Sequence, residues 1–223
     1  MVRPDSALRR LMRDTGKLLE PYGFEGEDPR WVRTDPGGVA VVERTRTLRS
    51  FTAGQQELTF GLRVQATPLA WWEFRAWRDT RDGLPVAPLE AATGPGVIDA
   101  DTLPPALTEP WSLRLDTDAP GHVLTGDVSV IREELPKRVH AYARRALRLL
   151  QPGAYLEELL AQPDPTIATW EAIVVLLAGE GPDPRLDDAL DHLAHLADEE
   201  PSPDALDVID YARCCLVGAE QPA

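Results

Sequence analysis

Two histidines, His192 and His195, lie three residues apart in the C-terminal part of the chain. On a helix this spacing places both imidazoles on one face, with Asp188 or Glu199 nearby, and zinc sites use such pairs. A catalytic zinc site also needs a third ligand and an open position, and the sequence contains no HExxH motif. We therefore predict no metal site and interpret the pair as surface or boundary histidines of an acidic helix.

The side chains that act as nucleophiles in enzymes lack the neighbours that would activate them. No serine stands in a GxSxG sequence, and Cys214 has no identifiable histidine partner. Residues 94–96 (Gly-Pro-Gly) do not match a phosphate-binding loop, because no Lys follows and proline has no amide proton. We predict no catalytic residue and no cofactor. The only cysteines, Cys214 and Cys215, are adjacent, which disfavours a disulfide and is typical of a reduced, cytoplasmic protein.

An aromatic cluster contains Trp71, Trp72 and Trp77. It begins a segment, 67–111, that is rich in proline and glycine and has no steady hydrophobic period. Such a cluster either packs in a core or interface, or lines a ligand pocket or a partner-binding patch. The sequence leaves both interpretations open, so the three tryptophans are candidate binding residues.

A second set of candidate binding residues consists of Arg144, Arg145 and Arg148. They belong to a basic, amphipathic helix predicted to begin near Leu135 and Pro136, since proline is tolerated in the first turn of a helix. Clustered arginines can contact nucleic acid or phospholipid. Alternatively, they neutralise an acidic part of the same chain, which is the interpretation we favour.

Acidic residues are concentrated at the C-terminal end. The net charge is −14, and the stretch from Asp164 onward holds 14 acidic residues but only two arginines, Arg185 and Arg213. Such a segment should repel nucleic acids and anionic membranes and attract basic proteins, although it could also serve solubility alone. We expect a basic protein partner, and neither nucleic acid nor a membrane.

The N-terminal half predicts a helix followed by antiparallel strands. Apolar residues at spacings of three and four predict a helix over 5–20. Short β-like stretches follow at 31–33, 39–45 and 57–66, with turns at 35–38 and 53–56, and another strand is expected over 112–117. No stretch is apolar enough to span a membrane, and the N-terminus does not resemble a signal peptide. The fold class predicted is α+β, with an antiparallel meander covered by helices.

A 19-residue repeat occupies the C-terminal part. Proline flanks Asp164, Asp183 and Ser202 on both sides, and each triplet precedes a helix-length amphipathic stretch. Because Asp and Ser are preferred N-caps and proline is favoured at the first helical position, three helices should start at these triplets. We predict an α+β domain over 1–150 and an all-α module of short antiparallel helices over 151–223.

Residues 8–66 carry a recognisable series of motifs. A helix runs into Leu19-Glu20-Pro21-Tyr22-Gly23-Phe24, and Trp31-Val32-Arg33, a hydrophobic strand and Leu58-Thr59-Phe60-Gly61-Leu62 follow. This series resembles the start of the family called domain of unknown function 4304. The resemblance implies a small bacterial α+β domain for which interaction roles are suspected, and it assigns no catalytic residue.

These patterns favour a non-enzymatic bacterial interaction protein that binds a basic partner, as an immunity protein binds a toxin. The alternative is an enzyme or small-molecule-binding protein with a tryptophan-lined pocket in 67–111. Nucleic-acid binding through the basic helices is a third hypothesis, which the overall acidity disfavours. The oligomeric state is left open.

Overall fold

The computed structural model describes residues 2–52, 54–98, 103–199 and 202–219, and it has the predicted α+β composition. Its strands are β1 (Glu25–Glu27), β2 (Arg30–Asp35), β3 (Gly38–Arg44), β4 (Leu48–Thr52), β5 (Gln55–Phe60), β6 (Leu62–Pro68) and β7 (Trp111–Arg114). Its helices are α1 (Pro4–Leu19), α2 (Leu69–Arg81), α3 (Pro105–Thr108), α4 (Thr125–Leu149), α5 (Ala154–Leu160), α6 (Ile167–Glu180), α7 (Pro184–Glu199) and α8 (Ala205–Ala219). Within these ranges no helix combines the length and apolar character that crossing a bilayer requires.

The strands form two sheets. One has the order β1-β2-β3-β6, and the other is the antiparallel sheet β4-β5-β7. The prediction of one strand over 57–66 was wrong, because β5 and β6 belong to different sheets. The break falls at Gly61, whose N–H donates to Thr45 Oγ1 at 2.8 Å and whose carbonyl accepts from the Thr45 N–H at 2.9 Å. The predicted turn at 53–56 lies at Gly54, while Ala53 is outside the described residues.

Helix α1 confirms the first predicted helix, and it packs against β1. Its buried side consists of Ala7, Leu11, Met12, Thr15 and Leu19, which recur at the helical period.

Helix α4 begins ten residues before the predicted start, so the expectation of a helix beginning at Leu135 was wrong. Pro136 lies inside the helix and not in its first turn. The first turn instead holds Asp127, whose carboxylate binds Arg114 of β7 at 2.6 Å. Further along, Trp111 Nε1 donates to Glu134 at 3.0 Å. Contacts with β7 therefore hold the N-terminal half of α4, which local sequence signals do not reveal.

The C-terminal helices keep the repeat only in part. At α7, Pro184 is the first helical residue and the Arg185 N–H donates to Asp183 Oδ1 at 2.7 Å, as predicted. Helix α6 instead begins at Ile167, where Thr166 caps it by accepting from the Thr169 N–H at 3.3 Å. The third predicted start was also wrong, because α8 begins at Ala205. Pro201, in the third triplet, lies outside the described residues.

The chain forms two compact units, each made of several stretches. The first comprises Met1–Arg33, Ala40–Gln65 and Ala100–Leu147, and the second comprises Thr34–Val39, Ala66–Asp99 and Arg148–Ala223. In the second unit, α6 packs against α2, α5, α7 and α8. Because α6 is surrounded, its residues 171–178 are all buried. The predicted division of the chain at residue 150 stays a prediction.

Candidate functional site

Two of the three candidate tryptophans pack among helices of the second unit. They lie on α2, a helix that sequence periodicity did not reveal. Trp71 is 6% exposed and lies 5.4 Å from Phe74, measured between ring centroids. Trp77 lies 5.4 Å from the ring of Tyr211 on α8, and the Arg81 guanidinium lies 5.0 Å from the Trp77 centroid. Trp71 and Trp77 therefore belong to an aromatic cluster that joins α2 to α8.

Trp72 lies beside a small, partly open space in the same unit. Its indole Nε1 donates to the Ala87 carbonyl at 2.9 Å, which holds the following loop against α2. The space measures about 70 Å³ and is also lined by Arg75, Asp79 and Ala92. Pockets for small molecules usually measure about 300–1,000 Å³. The space beside Trp72 is thus too small for most cofactors and substrates.

The three candidate arginines of α4 do not share one exposed face. Arg145 is buried, at 9% exposure, whereas Arg144 and Arg148 are exposed. Arg144 Nε donates to the His140 carbonyl one turn earlier at 3.1 Å. A basic surface on this helix would therefore depend on Arg144 and Arg148 alone.

Cations of α2 neutralise part of the acidic helical segment. Arg78 binds Asp204 at 2.5 Å, and Arg81 binds Asp207 at 2.8 Å. Both carboxylates lie at the start of α8, where the helix dipole also favours negative charge. These acidic residues therefore have a structural role within the second unit.

Four acidic residues of α7 have no such partner. Asp187, Asp188, Asp191 and Asp198 are exposed, and within the described residues none of them forms an ion pair. With Glu199 they occupy the side of α7 opposite its buried residues Leu186, Ala189 and Leu193. We call these five carboxylates, together with His192 and His195, the acidic face.

An aromatic pair borders the acidic face. The ring of Trp170, on α6, lies 4.2 Å from the ring of His192, measured between centroids. Asp188, His192, His195 and Glu199 follow one another at spacings of four, three and four residues, which forms a single strip along α7. His195 Nε2 lies 3.6 Å from Glu199 Oε1. The strip thus presents carboxylates at both ends and aromatic rings between them.

The described residues contain no group of three His, Cys, Asp or Glu side chains arranged to hold a metal ion. The two histidines of the acidic face therefore lack a third ligand there. What this face can do chemically is accept hydrogen bonds and stabilise cations, since carboxylates and ring faces both attract positive charge.

Sequence reasoning identified the histidines but did not name Trp170 as a candidate. Trp170 is in fact half-buried, and the His192 ring contacts it at an interplanar angle of 55°. The spacing of four, three and four residues between Asp188, His192, His195 and Glu199 could be read from the sequence, because it predicts that these side chains share one face of a helix. The pairing of that strip with a tryptophan from α6 depends on helix packing and has no local signal.

Comparisons with protein-family models, with curated proteins and with solved structures give no match for this chain. The resemblance of residues 8–66 to domain of unknown function 4304 therefore stays a prediction.

Proposed function

We propose that this chain is a non-enzymatic interaction protein of the bacterial cytoplasm that binds a basic protein partner, in the manner of an immunity protein, through the acidic face. The observation that carries the proposal is the set of four carboxylates, Asp187, Asp188, Asp191 and Asp198, that form no ion pair within the described residues and lie on the same helix as His192, the partner of Trp170. Adjacent cysteines and a strong excess of arginine over lysine support the cellular setting.

The position of the carboxylates on the helix favours binding over solubility alone. Asp198 and Glu199 lie in the last turn of α7, which contains no basic residue. Negative charge at a helix C-terminus opposes the dipole and costs roughly 0.3–1 kcal/mol for each residue. A cationic partner would remove this cost on binding, whereas solubility could be served by carboxylates placed anywhere on the surface.

The aromatic pair supports arginine as the partner's main contact residue. A guanidinium stacks on indole rings and donates two parallel hydrogen bonds to a carboxylate, which a lysine ammonium cannot do. Trp170 and Asp188 would make these two contacts, since Asp188 lies one turn before His192, whose ring contacts Trp170. Tryptophan and arginine are also the residues that most often dominate protein interfaces.

A charge-neutralisation experiment tests the site. Asp188→Asn, Asp191→Asn and Asp198→Asn combined should weaken the binding of a fluorescein-labelled oligoarginine peptide roughly tenfold, as three lost exposed ion pairs would. Fluorescence anisotropy gives the Kd. The matched control combines Glu109→Gln, Asp118→Asn and Glu133→Gln, three exposed acids of the first unit, and should leave the Kd near that of the parent protein. Equal weakening by both triple variants would mean that net charge alone binds the peptide, and the proposal would fail.

The alternative of a tryptophan-lined pocket has less support. The space beside Trp72 has room for only a few water molecules, and Trp71 and Trp77 contact other aromatic rings.

A further inference from the structure

A long groove in the first unit lies between α1 and the hairpin of β1 and β2. Its volume is about 630 Å³, within the range typical of ligand sites. Arg9, Arg13 and Lys17 line the α1 side, with Glu20 just beyond the end of the helix, and Glu25 and Glu27 line the strand side. The buried side chains of Met12, Phe24 and Trp31 form the floor.

The groove is lined by one glycine on each side, Gly16 on α1 and Gly26 on β1. Gly26 of β1 is paired with Trp31 of β2, so these two residues share the face of the sheet. The Trp31 indole lies against Gly16 of α1, where an added Cβ would be 3.0 Å from Trp31 Nε1. The face that carries Gly26 is therefore the one toward α1. A Cβ added at Gly26, whose φ is +122°, would lie 2.6 Å from the Arg30 carbonyl oxygen, so this position of the groove wall requires glycine.

The charges on the two sides are not used to hold the fold together. Arg9, Arg13, Lys17, Glu25 and Glu27 are all exposed. Within the described residues no ion pair joins the two sides of the groove. Asp28, at the end of the hairpin, differs because it binds Arg44 at 2.7 Å. Both rows of charge are thus available to a ligand.

The two rows have matching periods. Arg9, Arg13 and Lys17 are spaced by four residues, which is about 6 Å along a helix. Glu25 and Glu27 are spaced by two residues, about 6.8 Å along a strand, and project from the face opposite Gly26. Alternate side chains of an extended peptide share a face at the same spacing of about 6.8 Å. A peptide beside β1 would therefore meet cations on one face and carboxylates on the other.

The edge of the sheet supplies a way to hold such a peptide. In the described sheet β1 is the end strand, paired with β2 on one side. Main-chain groups on the outer side of an end strand can bind an added strand, as in proteins that recognise peptides by β-augmentation. The cationic row from Arg9 to Lys17 spans about 12 Å, which matches about four extended residues.

We propose that this groove binds an extended peptide segment in which acidic and basic side chains alternate. Acidic side chains lie toward Arg9, Arg13 and Lys17 of α1. Basic side chains lie on the opposite face, beside Glu25 and Glu27, and the peptide main chain pairs with β1. The inference is independent of the acidic face, because all of its residues belong to the first unit.

Two labelled peptides of equal composition test the proposal by fluorescence anisotropy. One alternates glutamate and lysine, and the other carries the same residues as a glutamate block followed by a lysine block. The alternating peptide should bind at least about tenfold more tightly, because only it matches both rows at once. Equal affinity for the two peptides, or no binding of either, would overturn the proposal.

Paired variants locate the binding. Arg13→Gln and Glu27→Gln should each weaken the alternating peptide about two- to fivefold, the effect of losing one exposed ion pair. Arg10→Gln and Glu133→Gln remove equivalent exposed charges that do not line the groove, and both should leave the Kd unchanged. All four substitutions are at exposed positions, so circular dichroism should confirm intact folding. Weakening by the controls to the same extent would also overturn the proposal.

Discussion

At the scale of single residues, the most informative side chain is Glu171. It is buried on α6, where Ser202 donates a hydrogen bond to it at 2.5 Å. Burial raises the pKa of Glu171, the nearby Asp204 raises it further, and the Ser202 hydrogen bond and Arg78 oppose the increase. An apolar helix sequence gives no sign of this cluster, because Arg78, Ser202 and Asp204 come from other parts of the chain.

The raised pKa predicts how stability depends on pH. A carboxyl whose pKa is higher in the folded state makes its full contribution to stability below its unfolded pKa of 4.5, and this contribution is lost as the pH rises through the folded pKa. Glu171→Gln keeps a hydrogen-bond acceptor for Ser202 without the charge. It should raise Tm at pH 7 by about 2–4 °C, the shift that roughly 1 kcal/mol produces in a chain of this size.

Thermal unfolding followed by circular dichroism at pH 7 and pH 5 measures this effect. The gain from Glu171→Gln should shrink at pH 5, where the native glutamic acid is closer to neutral. Glu133→Gln, on the exposed side of α4, provides the control and should change Tm little at either pH. A lower Tm for Glu171→Gln at both pH values would contradict the assignment of a destabilising buried charge.

At the scale of elements, the residue at which a helix starts depends on which side chain caps the first turn. A repeated sequence motif does not determine that residue by itself. The sequence places Asp164 and Thr166 two residues apart, and both are good N-caps. In the structure α6 begins after Thr166, whose hydroxyl oxygen accepts from the Thr169 N–H and lies 3.1 Å from Thr169 Oγ1. Thr169 in turn donates to Gln162 at 3.2 Å, so tertiary hydrogen bonds select the later cap.

Substitution of each possible N-cap tests where α6 starts. The structure places the cap at Thr166, whereas the 19-residue repeat predicts it at Asp164. Thr166→Ala should lower the free energy of unfolding by about 1 kcal/mol, the usual effect of losing an N-cap. Asp164→Ala should change it by less than about 0.5 kcal/mol, because Asp164 is exposed and lies outside the helix. Urea unfolding of both variants measures the difference. A larger loss of unfolding free energy for Asp164→Ala would mean that Asp164 caps the helix, as the exact 19-residue repeat predicts.

Elements that are amphipathic by themselves were predictable, and those that depend on partners were not. Helix α1 followed from its apolar stripe, and the turn at 35–38 followed from its proline and glycines. Helix α2 was missed because its aromatic residues contact α8 residues such as Tyr211, more than a hundred positions away. Strand β4 was missed because residues 48–51 are all exposed, which leaves them without an alternation of buried and exposed positions.

At the scale of the whole molecule, charge was the property that sequence predicted best. The excess of acid in the last third of the chain is a matter of composition. The structure divides those acids into groups with different roles. Asp204 and Asp207 bind arginines of α2, and Glu171 is buried. Four carboxylates of the acidic face, Asp187, Asp188, Asp191 and Asp198, form no ion pair among the described residues. This last group, beside Trp170, is the basis of the proposed function.

The most direct test of that function compares arginine with lysine. The Kd of oligoarginine and oligolysine peptides of equal length should be measured by fluorescence anisotropy for the parent protein, Trp170→Ala and Trp72→Ala. Since a guanidinium stacked on an indole ring that solvent can reach gains about 0.5–1 kcal/mol, the parent should prefer arginine about two- to fivefold. Trp170→Ala should lose this preference without any change of charge, and Trp72→Ala should keep it. An arginine preference that survives in Trp170→Ala, or that is absent from the parent protein, would contradict the account.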